Sequence, residues 1–125
     1  MKIIQSPQAP AAIGPYSQAV VHDGIAYCSG QIGLTADGEW VGPDVRSQTV
    51  QCLANLASVL EAAGSDLSSV LRATIFVADM DDFDIVNEEY AKAFADHKPA
   101  RACVEAARLP KDARVEISCI AIVRP

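Results

Sequence analysis

Apolar and polar positions change their period in an orderly way along this chain, and each change marks an element. Lys2 to Gln5 reads as a short edge strand. Pro7, Pro10, Gly14 and Pro15 then enforce an irregular segment, because proline cannot donate to a ladder. Gln18 to His22 and Ile25 to Gln31 alternate as strands on either side of Asp23-Gly24, a dipeptide that accepts positive φ in a tight hairpin turn. Gly33 to Pro43 is expected to be a loop.

A helix follows, with Asp44 as its cap and Gly64 as its terminator. Val45, Thr49, Cys52, Leu53, Leu56, Val59, Leu60 and Ala63 recur along one face of it. Val70 to Ala78 is rich in β-branched residues and reads as a strand. From about Asp82 to Phe94 the stripe Phe83, Val86, Tyr90, Phe94 predicts a shorter helix. Ala100 to Arg108 and Arg114 to Val123 are the last two strands. The order is β-β-β-α-β-α-β-β, an α+β arrangement with a six-stranded mixed sheet. With no repeat, low-complexity tract or linker-like stretch, residues 1–125 are expected to form one domain.

Two helices can cover one face of such a sheet, so the other face should be polar in a monomer. It is not. In the last strand Val115, Ile117, Cys119, Ala121 and Val123 take one side, while Ile120 and Ile122 stand on the other. A sheet apolar on both sides needs a second cover, and self-association with pockets at the seams is the economical expectation.

Half of the residues are apolar, enough for a core without covalent staples, and the net charge of −6 disfavours a polyanionic partner such as RNA. The longest charged run, Asp79-Met80-Asp81-Asp82, is acidic and suits the start of a helix. Cys28, Cys52, Cys103 and Cys119 are far apart in sequence, without the spacing of metal ligands. With no secretory leader read, they are expected to be reduced thiols in a cytoplasmic protein. Neither His22 nor His97 has a partner at ligand or triad spacing, so no histidine-based metal site and no Ser-His-Asp triad are expected, and no apolar run is long enough for a bilayer.

The candidate chemistry lies near the C-terminal end. Pro99-Ala100-Arg101-Ala102-Cys103-Val104-Glu105 places a guanidinium on a strand, where its rigid fork matches a carboxylate. Glu116, flanked by Val115 and Ile117, has surroundings that raise a carboxyl pKa toward working range. Together they point to chemistry on a small carboxylated molecule. A cross-strand ion pair or two solvent-facing charges are the alternative from composition alone.

Several separated segments carry a resemblance. These are Ala12-Ile13-Gly14-Pro15-Tyr16-Ser17-Gln18-Ala19-Val20, Ser29-Gly30-Gln31-Ile32, the Gln51 to Gly64 helix with Asn55 and Leu60, and Met80-Asp81-Asp82-Phe83 with Val86-Asn87 and Tyr90. Pro99-Ala100-Arg101 and Leu109-Pro110-Lys111 with Val115-Glu116-Ile117 complete the set. In this order and spacing the chain resembles the RidA/YjgF family of enamine/imine deaminases. The resemblance implies a chorismate mutase-like fold, a homotrimer with three sheets in a central barrel, and sites in clefts between subunits. It implies that Arg101 binds a substrate carboxylate, that Glu116 positions or activates water, and that Tyr16, Ser29, Asn87 and Cys103 line the pocket, Cys103 largely through its backbone.

Each lining residue also has a plainer structural reading. Tyr16 can anchor a loop, Ser29 can be a small residue at a strand end, Asn87 can be a solvated helix position, and Cys103 can be an inert core thiol. Relative to the family pattern, the segment before Pro99 is short and lacks an aromatic residue. Ala102 stands where Ser or Thr is common, and Ser118 replaces a second acidic residue. The implied activity is hydrolysis of 2-enamino or 2-imino acids to 2-oxo acids and ammonia, a reaction that demands no metal and no cofactor. A non-catalytic sensor of small carboxylates is the rival reading, with a ribonuclease or chaperone role behind it.

Overall fold

The computed structural model describes residues 1–125. The elements are β1 (Lys2–Ile4), β2 (Ala19–His22), β3 (Ile25–Gln31), α1 (Val45–Ala62), β4 (Val70–Val77), α2 (Phe83–Phe94), β5 (Ala100–Glu105) and β6 (Val115–Ile122). They form one six-stranded sheet in the order β1-β2-β3-β6-β4-β5. Every neighbouring pair is antiparallel except β4 and β5, which are parallel and joined through α2. The mixed α+β sheet predicted from the sequence is therefore the observed one.

Local chemistry explains the boundaries. At the β2–β3 hairpin both Asp23 (φ 51°) and Gly24 (φ 76°) take positive φ, the conformation a two-residue turn needs to match strand twist. Asp44 caps α1 by accepting a hydrogen bond from the Ser47 amide at 2.9 Å, and Gly64 ends the helix region with φ 83°. The face of α1 predicted to be apolar is buried along its whole length, from Val45 to Ala63.

Two expectations need correction. β5 stops at Glu105 rather than Arg108, because its neighbour β4 ends at Val77 and no ladder partner lies beyond. The Gly33–Pro43 stretch is not a featureless loop: Leu34 bridges Trp40, and the Thr35 amide donates to the Glu39 carbonyl at 2.9 Å.

Both helices cover the same face of the sheet, where Ala26, Ala73, Ile75, Val77, Val115, Ile117 and Ala121 are completely sequestered. The other face carries Tyr27 at 50% exposure, Ile122 at 46% and Val104 at 45%, with no element of the chain above them. No helix is long and apolar enough to cross a membrane.

Candidate functional site

Glu116 belongs to the open face. Its neighbours Val115 and Ile117 point into the helix-covered core, so the alternation of β6 turns the carboxylate the other way, opposite Phe76 of β4. Room for it comes from an irregularity in β3. Cys28 pairs with Cys119 and Gln31 with Ile117, leaving Ser29 and Gly30 together opposite the single residue Ser118. At Gly30 a side chain would collide with Glu116: an added Cβ would lie 2.7 Å from its Cδ and 2.9 Å from its Oε2.

The Glu116 side chain faces a cavity of 720 Å³, whose lining includes Tyr16, Ser29, Gly30, Ile32, Leu34 and Lys111. Burial pushes its carboxyl above the usual glutamate range, and no basic group counters the shift. The walls are fastened by buried amides. Gln18 accepts the Ser6 amide at 2.6 Å and donates to the carbonyls of Ser6, Ala9 and Pro10, holding the proline-rich segment against the sheet. Ser29 donates to the Ser17 carbonyl at 2.5 Å, which sets the strand beside Tyr16. Asn55 on α1 donates to the carbonyls of Ile32 (3.2 Å) and Leu34 (2.9 Å).

Arg101 lies on the other side of the sheet. Its register partner on β4 is the fully buried Ala73, which places it on the helix side at the edge strand. There its guanidinium rests over two rings of α2, 4.9 Å from the centroid of Tyr90 and 5.6 Å from that of Phe83. Five of the ten lysines and arginines, namely Arg46, Lys92, Arg108, Arg114 and Arg124, are paired with carboxylates, and Arg101 is not one of them. Aromatic faces hold the cation without using its hydrogen-bond donors, so the fork stays open to an incoming anion.

Asn87, Lys98 and Arg101 line a second cavity of 300 Å³. His97 donates from Nε2 to the Val70 carbonyl at 2.6 Å and pins the short segment before Pro99 to the start of β4. Cys103, two residues beyond Arg101, is half-buried on the same side of β5, and burial pushes its thiol up. That agrees with an unreactive thiol.

The predicted residues thus form two groups. Tyr16, Ser29 and Glu116 share one cavity; Asn87 and Arg101 share another, with Cys103 close by on β5. Within one chain Arg101 and Glu116 are on opposite faces of the sheet with β4 between their strands, so the two cannot grip one small molecule together.

Residues 6–123 match the sequence profile of the family described as Endoribonuclease L-PSP. The chain belongs to this family, the RidA/YjgF group. Among its RidA/YjgF relatives, the Bos taurus protein named 2-iminobutanoate/2-iminopropanoate deaminase is 47% identical, over 99% of this chain and 91% of its own length. The Homo sapiens protein of the same name is 44% identical over the same shares. Of solved structures in the group, that of E. coli TdcF with bound serine superposes with a TM-score of 0.94 at 39% identity, covering 99% of this chain and 100% of the other.

Sequence reasoning did not assign roles to Gly30, Phe83 or Tyr90 at these sites. The helical stripe places Phe83 and Tyr90 on one face of α2, and the resemblance includes both without a role at the site. Their spacing of seven residues, two helical turns, is the signal that puts two rings in line under one strand residue.

Proposed function

We propose that this chain is a cofactor-free hydrolase of the cytoplasm, a single domain in a homotrimer, that converts reactive 2-enamino and 2-imino acids such as 2-aminoacrylate and 2-iminopropanoate to 2-oxo acids and ammonia. The names borne by relatives at 44–47% identity support the reaction. The observation that carries the site is the separation of an unopposed Arg101 and an unopposed Glu116 on opposite faces of the sheet. Two such halves become one cleft when the edge bearing Arg101 of one subunit meets the open face bearing Glu116 of the next. The uncovered apolar residues Tyr27, Val104 and Ile122 favour the same association.

In this reading Arg101 takes the substrate carboxylate in a paired, charge-assisted hydrogen bond and holds C2 in place. Asn87 and the backbone at Cys103 border the same end, and Tyr16 and Ser29 border the other. An enamine first tautomerises to the imine. Glu116, whose proton affinity is raised by burial, accepts a proton from water as the oxygen attacks C2. It returns that proton to nitrogen to give the carbinolamine, then carries the hydroxyl proton to the same nitrogen; the C–N bond breaks, and ammonia leaves as the carbonyl forms. Imine and water give 2-oxo acid and ammonia with no redox change, so the chemistry asks only for positioning and proton transfer.

The test is subunit mixing. Arg101→Ala and Glu116→Gln are each expected to lose turnover of imine generated in situ by an amino acid oxidase. Refolded together in equal amounts, they should recover about one quarter of wild-type activity, because a site drawn from two chains has that chance of two intact halves. A mixture as inactive as its parents rejects the shared cleft. Saturable binding of a 2-oxo acid by wild type with no turnover would instead leave the sensor reading. An RNA role is not favoured, given the net charge of −6.

A further inference from the structure

Cys28 and Cys119, on adjacent antiparallel strands, are direct register partners. Both side chains face the helix-covered core, beside Ala26 and Ala121 on one flank and Ala73 on the other. Opposed residues of an antiparallel pair have Cα atoms about 4.5–5.5 Å apart. This lies within the roughly 4.4–6.8 Å that a disulfide spans. Both cysteines are free thiols. The two thiols act on each other unequally: the Cys119 neighbour lowers the Cys28 thiol, while Cys28 and burial drive that of Cys119 up.

The other cysteines have no such partner. Cys52 is fully buried and directs its thiol at the Val115 carbonyl, 3.8 Å away, and Cys103 stands alone on β5. The location of the pair also matters. Ser29 and Gly30, the bulged residues that make space for Glu116, directly follow Cys28, and Glu116 is three positions before Cys119 on β6.

We propose that Cys28 and Cys119 are an oxidation site, a reversible dithiol–disulfide couple closed by a small peroxide, whose state is felt at the Glu116 cavity. A small oxidant is required because only 7% of Cys28 and 4% of Cys119 is exposed. The Cys28 thiolate attacks one oxygen of hydrogen peroxide; the O–O bond breaks, giving a sulfenic acid at Cys28 and hydroxide that is protonated to water. The Cys119 sulfur then attacks Cys28 Sγ, the S–O bond breaks, and the hydroxyl departs as water with the Cys119 proton. Two thiols and one peroxide yield one disulfide and two waters. A dithiol reductant reverses the change. Drawing the sulfurs to a bonded separation of about 2.05 Å pulls β3 against β6 directly beside the bulge. The oxidised form should therefore turn over imines more slowly.

The experiment treats the reduced, folded chain with graded hydrogen peroxide, blocks remaining thiols after denaturation, and maps peptides by mass spectrometry. Cys28 and Cys119 are expected to lose their thiols together and to appear in one cross-linked peptide lighter by two hydrogens. Cys52 and Cys103 should remain alkylated, and dithiothreitol should restore all four thiols. Activity should fall in step with the cross-link and return with reduction, whereas Cys119→Ala should lose both the cross-link and the reversible fall. Oxidation at Cys103 first, over-oxidation of Cys28 without the cross-link, or a cross-link that leaves turnover unchanged would each overturn the proposal. The mapping needs only the unaltered protein, so a poorly folding variant does not decide it. The peptide readout is also independent of whether the protein is a deaminase.

Discussion

Gly30→Ala separates the packing of the sheet from the placement of Glu116. A methyl at this position would stand 2.7 Å from Cδ, 2.8 Å from Cγ and 2.9 Å from Oε2 of Glu116. Carbon atoms settle at about 3.5–4.0 Å, so the carboxylate must retreat by about 1 Å. All three colliding atoms belong to the outer part of one side chain that borders open space, and Gly30 has no positive φ to lose. The fold should therefore absorb the change at a cost below about 1.5 kcal/mol, the lower part of the overpacking range. Catalysis should suffer more. A displacement of about 1 Å at a reacting group lowers rate on the order of 100-fold, equivalent to about 2.7 kcal/mol of barrier. The assay pairs urea unfolding with the decay of 2-iminopropanoate formed in situ by an amino acid oxidase. A variant within threefold of wild-type turnover would refute the importance of Glu116 placement. A variant destabilised by more than about 3 kcal/mol would show that Gly30 serves packing instead.

Arg101→Lys keeps the charge but loses the fork; with hydrogen bonds to a charged group worth about 1.5–3 kcal/mol, kcat/KM should drop roughly 10- to 100-fold in the imine assay. The thermal midpoint should barely move, since no ion pair is broken. Glu116→Gln should make the protein more stable at neutral pH. The folded carboxyl has a raised pKa, so ionisation costs stability progressively as pH climbs from the ordinary glutamate range through the raised value, and below that range both states are protonated and the gain should vanish. Urea midpoints measured near pH 7 and near pH 3 check the sign. Asn55→Ala should cost about 1–3 kcal/mol by leaving the Ile32 and Leu34 carbonyls without their donor, and it should lower turnover by loosening that wall of the cavity. An unchanged urea midpoint would contradict it. Tyr27→Glu, on the uncovered face, should reduce the particle mass measured by light scattering to that of one chain and abolish turnover.

Legibility in the sequence followed the range of the interactions. The hairpin at Asp23-Gly24, the cap at Asp44 and the apolar face of α1 are local matters, and periodicity with turn chemistry located them. The two-sided character of the sheet could also be read from Ile120 and Ile122 alone. The relative placement of Arg101 and Glu116 could not. It depends on β5 running parallel to β4 after a helical crossover, which fixes which side of the sheet each residue of β5 faces. The bulge at Ser29-Gly30 was likewise hidden, because an extra residue in β3 has meaning only against the register of β6, almost ninety positions away. The Leu34–Trp40 bridge does contain a turn dipeptide, Asp37-Gly38, but its flanks are too short to show a strand period, so pattern alone places the segment in a loop.

The sixth strand in chain order occupies the middle of the sheet, between β3 and β4. During synthesis, therefore, β1, β2 and β3 emerge as one incomplete ribbon and β4 and β5 as another, each with a bare inner edge, until residues 115–122 arrive to join them. Ribosomes add roughly 5–20 residues per second, so these edges stay unpaired for seconds in a crowded cell. Nascent chains of this protein should lean on chaperones late in translation, and ending the chain before Val115 would leave two unjoined halves rather than a smaller stable protein.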